Sequence, residues 1–303
     1  HGRILSFLYA ELYALIGYAF EQRLHEKVIL QELLIEVYNC FEEEELPGYR
    51  RIQQIIYWFE SDYSEITVAH RIREAVDPKL DFAAKIVMES DLKDLRYLYR
   101  YGEYITENER KMAEFMNSLD EETVEKMAST FTEGYRIGFV LGGKDLSKKQ
   151  TVNIRYMVGF ERMVRLAIRN FEKMGLKPVI YRAALERINK KGVHRIGYYG
   201  AIPNRQFDYD HRADQAIYLD KAFMERRLGV MRSAYENYKT LANGHAGPAC
   251  IDTFGEPEFY PQTKPEAYYL SDKQKKLQTQ MDNESVQITN RYIIGKERSF
   301  TII

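Results

Sequence analysis

Apolar residues recur at helical spacing through the first 145 residues. The first stripe consists of Ile4, Leu8, Leu12, Leu15, Ile16 and Phe20, which are spaced like one face of a helix. Further helical segments are predicted at 49–59, after the acidic and turn-forming residues 42–48, and at 66–75, where Asp77 and Pro78 end the helix. Thr106 with Glu109, and Ser118 with Glu121, fit the capping box and predict two more helix starts. Residues 1–145 therefore read as a helical N-terminal region.

The pattern changes after residue 145. Residues 151–158 have the composition of a strand, and 160–174 have one apolar face and end at Gly175, as a helix does. Residues 178–181 predict a second strand. A strand, a helix and a strand in this order form a βαβ unit, which is typical of a parallel sheet.

The rest of the chain continues in the same alternating manner. We expect a helix at 183–190, a short strand at 196–199, a long helix at 210–241 and a turn-rich connection at 248–265. Ser271 with Gln274 fits another capping box and begins a helix that runs towards Tyr292, before a last strand at 299–303. The predicted fold class is α/β: a helical N-terminal region (1–145) and an α/β domain (146–303) with βαβ units and a mainly parallel sheet.

Composition narrows the classes of function. The 303 residues include 44 Lys and Arg and 45 Asp and Glu, giving a net charge of −1, so nothing marks a partner as nucleic acid or an anionic membrane. Cys40 and Cys250 are far apart, which excludes a zinc ribbon and argues against a disulfide framework. No uninterrupted apolar run approaches the length of a membrane span. We therefore predict a cytoplasmic protein without nucleic-acid or membrane partners.

Three partial motifs lack an essential residue. Residues 138–144 have the spacing GxxxxGK, but Asp145 stands where Ser or Thr would hold Mg²⁺, so we interpret them as a linker between a helix and a strand. His25 and Glu26 begin an HExxH pattern that has Ile29 in place of its second histidine, so no zinc site is expected. The chain also has no GxSxG elbow, and nothing in the sequence supports nucleophilic catalysis by serine or cysteine.

The segment from Gly197 to Arg226 combines loop-forming residues with many ionisable side chains. Those able to bind a metal ion are Asp208, Asp210, His211 and Asp214. Carboxylates with an imidazole can bind zinc, manganese or cobalt, so a mononuclear metal hydrolase is one interpretation. The other is structural: Asp208 or Asp210 caps the following helix, while Arg205 and Arg212 pair with the remaining carboxylates.

The two ends of the chain suggest a longer protein. The sequence begins at His1 without an initiator methionine, and it stops on an apolar, strand-like run at 299–303. Natural termini are normally exposed and often frayed. We expect a chain truncated at its C-terminal end, and the alternative is a complete protein whose last strand is buried.

Three stretches, in this order, resemble a known family. They are TVNIRYMVGFERMVRLAIRNFEKMGLKPVIYRAA at 151–184, IGYYGAIPNRQFDYDHRADQAIYLDKAFMERRLGV at 196–230 and ERSFTII at 297–303. The order of these stretches and their residue patterns resemble those of the N-terminal domain of thermophilic-type metalloaminopeptidases, which are relatives of aminopeptidase T and aminopeptidase S. The longer bacterial members called leucyl aminopeptidases, which carry an additional helical N-terminal region, are the most similar. The resemblance covers about 130–303 and, more weakly, the helices before.

The resemblance implies a non-catalytic part of an aminopeptidase. In that family two divalent metal ions (zinc, cobalt or manganese) are held by two Glu, two His and an Asp, with a catalytic Tyr, all in the C-terminal domain. No stretch here matches those motifs, so no catalytic residue and no metal is expected in this chain. A peptide substrate and a homodimer of the whole protein are the implied partners. Asn204, Arg205, Tyr209 and His211 are candidates for reaching the entrance of the active site or the partner subunit.

Two other functions stay open. One is a standalone α/β module that binds a small polar ligand through residues 204–214. The other is the mononuclear metal hydrolase that would use the cluster between Asp208 and Asp214.

Overall fold

The computed structural model describes residues 1–190, 196–253 and 257–303. The α-helices in these ranges are α1 (Gly2–Phe20), α2 (Leu24–Phe41), α3 (Tyr49–Asp62), α4 (Ser64–Glu74), α5 (Phe82–Glu89), α6 (Glu107–Ser118), α7 (Glu121–Leu141), α8 (Glu161–Lys173), α9 (Arg205–Asp210), α10 (Lys221–Asn237), α11 (Lys239–Asn243) and α12 (Asp272–Tyr292). The helices before residue 145 and the sheet after it confirm the predicted α/β class.

Five strands form one parallel sheet. They are β1 (Thr151–Met157), β2 (Lys177–Val179), β3 (Tyr198–Tyr199), β4 (His245–Cys250) and β5 (Thr301–Ile302). Their order is β2-β1-β4-β5, with β3 paired to the far end of β1. The chain therefore places β2 on one side of β1 and later returns to place β4 on the other side.

The β1–α8–β2 unit confirms the predicted βαβ motif. Alternate residues of β1, Val152, Ile154 and Tyr156, are fully buried, as expected for a strand whose side chains alternate between two faces. They belong to the sheet cluster, as do the buried apolar residues of α8. Gly175 follows this helix with a φ of 83°, a conformation in which glycine avoids the strain of a side chain. Before β1, α7 continues to Leu141, so positions 138–141 of the predicted linker are helical and the linker itself begins at residue 142.

Two hydrophobic clusters hold the molecule together. The sheet cluster consists of buried apolar side chains between residues 83 and 180, joined by Tyr198, Ala246, Ala249 and Ile251. The helical cluster consists of those between 4 and 76 and between 217 and 293. Each cluster takes residues from both sides of position 145. The clusters thus divide the chain differently from the predicted domains 1–145 and 146–303, whose boundary stays a prediction.

The capping residues show where the sequence patterns held. Thr106 with Glu109 and Ser271 with Gln274 form complete capping boxes, as predicted. The predicted cap at Ser118 is wrong, because Ser118 ends α6. Asp120 begins α7 instead, and its Oδ1 accepts a hydrogen bond of 2.7 Å from the backbone N–H of Thr123.

The helix predicted at 183–190 does not form. This segment consists of bends and turns, and its polar groups bind distant helices. Glu186 accepts hydrogen bonds from the Tyr18 hydroxyl and from Arg23, at 2.9 and 3.0 Å. The backbone N–H of Arg187 donates to Oε1 of Glu11 at 2.9 Å. Contacts across the fold replace the hydrogen bonds that a helix would have made within the segment.

The single long helix predicted at 210–241 is wrong as well. It divides into the end of α9, a 3-10 turn at Asp214–Ile217, α10 and α11. The reason lies at Asp220, whose Oδ1 accepts a 2.8 Å hydrogen bond from the N–H of Phe223 and begins α10. A side chain that caps a helix cannot lie inside one.

The sequence also misplaced the sheet's strands. Strand β4 occupies positions that were assigned in part to a turn-rich connection, because Gly247 and Pro248 resemble a turn. Gly247 has a φ of 110°, and a side chain there would collide with the backbone of Ser299. The strand predicted at 178–181 is β2 at Lys177–Val179, and the last strand is shorter than 299–303. Position 194, a histidine without an assigned role, lies outside the described residues.

The apolar stripe predicted on α1 is only partly buried. Ile4 and Leu8 belong to the helical cluster, as expected, whereas Leu12, Ile16 and Phe20 are 39%, 51% and 42% exposed. The exposed apolar side chains of this helix are Leu5, Tyr9, Leu12, Tyr13, Ile16 and Phe20, here named the α1 outer face. Helix α1 therefore has one apolar face towards the core and a second towards solvent.

Helix α1 is the one helix of the described residues that is long and apolar enough to cross a membrane. Its inner side chains, including Phe7 and Tyr18, are buried in the helical cluster, and Glu11 is buried on the same helix. Core helices of soluble proteins meet the same criterion. The expectation of a cytoplasmic protein without a membrane partner stays a prediction.

Candidate functional site

The segment 204–214 forms a short helix that is tied to the chain around it. Asn204 is exposed, and its Oδ1 accepts a 2.9 Å hydrogen bond from the N–H of Phe207, which begins α9. Arg205 donates to the carbonyl of Pro257 at 2.6 Å. The half-buried ring of Tyr209 lies 3.8 Å below the guanidinium of Arg212. Asn204, Arg205 and Tyr209 therefore lie at or near the surface, as residues that reach a partner must.

The carboxylates of this segment have separate partners. Asp208 pairs with Lys190 at 2.9 Å and Asp210 with Lys264 at 2.8 Å. Because Asn204 caps α9 and Asp220 caps α10, the capping role predicted for Asp208 or Asp210 is wrong. No group of three or more His, Cys, Asp or Glu that could hold a metal ion occurs among the residues that the structure describes. The mononuclear metal site stays a hypothesis without support from this geometry.

His211 is buried and links two parts of the fold. Its Nε2 lies 2.9 Å from the hydroxyl of Ser6 on α1, and its Nδ1 lies 2.7 Å from Oδ2 of Asp214. Only 8% of His211 and 3% of Asp214 are exposed. Sequence reasoning missed this contact because Ser6 stands 205 positions before His211, and no local pattern joins them.

The order hydroxyl, imidazole, carboxylate is that of a catalytic triad, and a triad also needs donors for an oxyanion. Ser6 stands within α1, where the backbone N–H groups beyond the first turn bind carbonyls of the same helix. These groups cannot also stabilise a developing negative charge. We therefore interpret the three residues as a polar link that holds α1 against the segment 204–214, with His211 facing inward.

A second polar group lies deeper in the helical cluster. Glu11, Glu60 and Glu186 line an enclosed cavity of about 20 Å³, which is large enough for a water molecule. Burial raises the pKa of Glu11 to about 7, although the nearby Arg187 opposes this shift. Burial also raises the pKa of Glu60 well above its usual range. These carboxyl groups therefore hold protons more tightly than they would in water.

Sequence comparison adds no further identification. Comparisons with protein-family models, with curated proteins and with solved structures find no match to this chain. The likeness to metalloaminopeptidases therefore stays an expectation from the sequence, and function has to be argued from the geometry.

Proposed function

We propose that this chain is the non-catalytic N-terminal part of a metal-dependent aminopeptidase, which removes N-terminal residues from peptides. Its role would be to shape the access of the substrate and to form contacts between the subunits of a homodimer. The two metal ions would be held outside this chain, where they would activate a water and polarise the scissile carbonyl.

The α1 outer face is the observation that carries this proposal. Leu5, Tyr9, Leu12, Tyr13 and Ile16 are between 38% and 54% exposed and follow one another along a single helix. Contiguous exposed apolar residues of this kind commonly mark an interaction surface. A part of an enzyme that works through contacts with its neighbours would need such a surface.

The same surface adjoins the segment that the sequence singled out. The ring of Tyr9 meets the ring of Phe207 in α9 at a centroid distance of 5.8 Å. Ser6, one turn before, binds His211. The α1 outer face and the segment 204–214 thus form one continuous region, which supports a shared role in contacts for Arg205 and Tyr209.

The dimer is tested by replacing the centre of the α1 outer face. We expect the chain to sediment as a dimer and the double variant Leu12→Ser/Ile16→Ser to sediment as a monomer with unchanged circular dichroism. Val286→Ser, which removes an equally exposed side chain from α12, is the matched control and should leave the dimer intact. A wild-type chain that stays monomeric at 100 µM would contradict this part of the proposal.

The activity is tested with the complete reading frame. The gene should continue past the codon for Ile303 into a region that encodes two Glu, two His, an Asp and a Tyr of a two-metal site. The product of that frame should hydrolyse aminoacyl p-nitroanilides when loaded with Zn²⁺, Co²⁺ or Mn²⁺, and residues 1–303 alone should not. Turnover by residues 1–303 alone would refute the non-catalytic role.

A further inference from the structure

The second face of the sheet differs from the face that packs in the sheet cluster. Along β1, Ile154 and Tyr156 enter the sheet cluster, whereas Asn153 and Arg155 alternate with them and lie on the opposite side. Arg155, Tyr235 of α10 and Thr289 of α12 line the same open space. This space separates the sheet from the helices of the helical cluster.

That space is a cleft of about 510 Å³, within the size range of sites for small ligands. Its lining includes the basic and aromatic side chains of Lys144, Arg155, Tyr181, Tyr235, His245 and Arg298, here named the basic cleft. They come from separate segments between residues 144 and 298, so no single stretch of the sequence predicts the site.

The cations of the basic cleft have no counter-ion among the residues that the structure describes. Its lining includes Lys144, Arg155 and Arg298 but no Asp or Glu. Within the described part of the chain, none of these three forms an ion pair. Lys144 donates to the carbonyl of Arg298 at 2.5 Å, and Nε of Arg155 donates to Asn153 at 2.6 Å. The carboxylate of Glu297, the residue before Arg298, forms an ion pair with Lys149 at 2.9 Å.

The behaviour of His245 agrees with a positive potential in the cleft. Burial, together with the charges of Arg298, Arg155 and Lys149, lowers its pKa to about 3. The imidazole is therefore neutral at physiological pH. It adds a hydrogen-bonding group to the cleft without adding charge.

We propose that the basic cleft binds a small organic anion through an oxyanion group, a carboxylate or a phosphate. The guanidinium groups of Arg155 and Arg298 supply paired N–H donors, which suit both kinds of oxyanion. Tyr181, Tyr235 and the neighbouring Phe300 supply apolar surface for the body of the ligand. The site goes beyond the proposed peptidase role and holds whether or not the chain belongs to an aminopeptidase.

Titration calorimetry with matched probes tests this site. The probes are benzoate, phenyl phosphate and benzamide, which share a ring and differ in the oxyanion, with inorganic phosphate as the probe without a ring. We expect benzoate or phenyl phosphate to bind at millimolar concentration or tighter and benzamide not to bind. Whichever of the two anions binds more tightly identifies the oxyanion that the cleft prefers.

Variants locate the binding. Arg155→Gln and Arg298→Gln should each weaken the preferred anion at least about tenfold, since each removes hydrogen bonds to a charged group. Arg169→Gln removes the same charge from an exposed position of α8, on the other side of the sheet, and should leave affinity unchanged. Thermal unfolding of each variant shows that it is folded, and Arg155→Lys replaces Arg155→Gln if that variant is not.

Several results would overturn the proposal. Equal binding of benzoate and benzamide would show that the oxyanion is not recognised. Absence of heat with both anions at 10 mM, or an equal loss of affinity in Arg169→Gln, would show that the cleft is not a specific site. None of these results bears on the dimer or on peptidase activity, so the two proposals fail separately.

Discussion

The helical cluster is accompanied by more buried ionisable side chains than the sheet cluster. In the sheet cluster, Oε2 of the buried Glu161 accepts hydrogen bonds from the Tyr97 hydroxyl at 2.6 Å and from the N–H of Gly159 at 2.8 Å, while its Oε1 has no partner among the described residues. The helical cluster surrounds Glu60, which is 4% exposed and whose pKa is raised by burial, and Arg227, whose Nη1 has no partner among the described residues. Buried charge without hydrogen bonds costs stability.

From this difference we infer that the sheet cluster contributes more to the stability of the fold than the helical cluster does. The sheet cluster is mostly apolar and surrounds a regular sheet. The helical cluster surrounds several carboxyl groups and arginines, and burying these side chains contributes little to the free energy of unfolding. The predictions below either break this contrast or make it sharper.

The largest effect is expected in the sheet cluster. Ile154 is fully buried in the sheet cluster. Ile154→Ala should lower the free energy of unfolding by about 2–5 kcal/mol, because the substitution leaves a cavity in a well-packed core. Urea unfolding followed by circular dichroism measures this value. A loss below 1 kcal/mol would remove the claim that the sheet cluster stabilises the fold.

A smaller effect, dependent on pH, is expected at Glu11. Its folded pKa of about 7 lies above the usual value of 4.5, so the extra stability is present below pH 4.5 and is lost as pH rises towards 7. Glu11→Gln removes this pH-dependent loss of stability, because the Gln side chain does not ionise. We expect its stability to match the wild type near pH 4.5 and to exceed it above pH 7, by about 3 kcal/mol at most.

Chemical unfolding at a series of pH values makes this test. Glu32→Gln changes an exposed carboxylate on the neighbouring helix α2 and should show no such trend. A difference between Glu11→Gln and the wild type that stays constant from pH 4.5 to 8 would mean that Glu11 does not titrate in this range.

A still smaller effect is expected at the polar link. Ser6→Ala removes the hydroxyl that meets Nε2 of His211 and should lower the free energy of unfolding by about 1 kcal/mol. Ser129→Ala makes the same change at an exposed position of α7 and should be neutral or slightly stabilising, because alanine favours a helix. Equal effects of the two substitutions would show that the link contributes nothing.

The smallest effect on stability is expected in the basic cleft. Arg155→Gln should change the free energy of unfolding by less than about 0.5 kcal/mol, because Arg155 is half-buried and forms no ion pair in the described residues. Its hydrogen bond to Oδ1 of Asn153 is not the only one there, since that oxygen also accepts from the Tyr181 hydroxyl. Any change should be a gain at low salt, where repulsion from Arg298 is strongest, and should fade at 1 M salt. Unfolding in urea at both salt concentrations gives the answer, and a large loss at either would place Arg155 among the stabilising residues.

Sequence reasoning worked where the structure depends on neighbouring residues. The β1–α8–β2 unit and the capping boxes at Thr106 and Ser271 are local patterns, and the structure confirms them. Periodicity fixes which residues share a face, and capping needs only residues three positions apart.

It failed where distant contacts decide. The segment at 183–190 is not helical because Glu186 and the backbone N–H of Arg187 form hydrogen bonds with side chains of α1. His211 was singled out, but its partner Ser6 could not be. The basic cleft was missed entirely, because its arginines lie in β1 and just before β5 and meet only in the folded chain.

One paired measurement tests the central contrast most directly. Ile154 and Arg155 are adjacent on β1 and face opposite sides of the sheet. The free energy of unfolding and the affinity for the preferred anion are measured for Ile154→Val and for Arg155→Gln. We predict that Ile154→Val loses about 0.5–1.5 kcal/mol of stability and keeps its affinity, while Arg155→Gln keeps its stability and loses affinity. Arg155→Gln that loses stability but binds the anion as the wild type does would contradict the account.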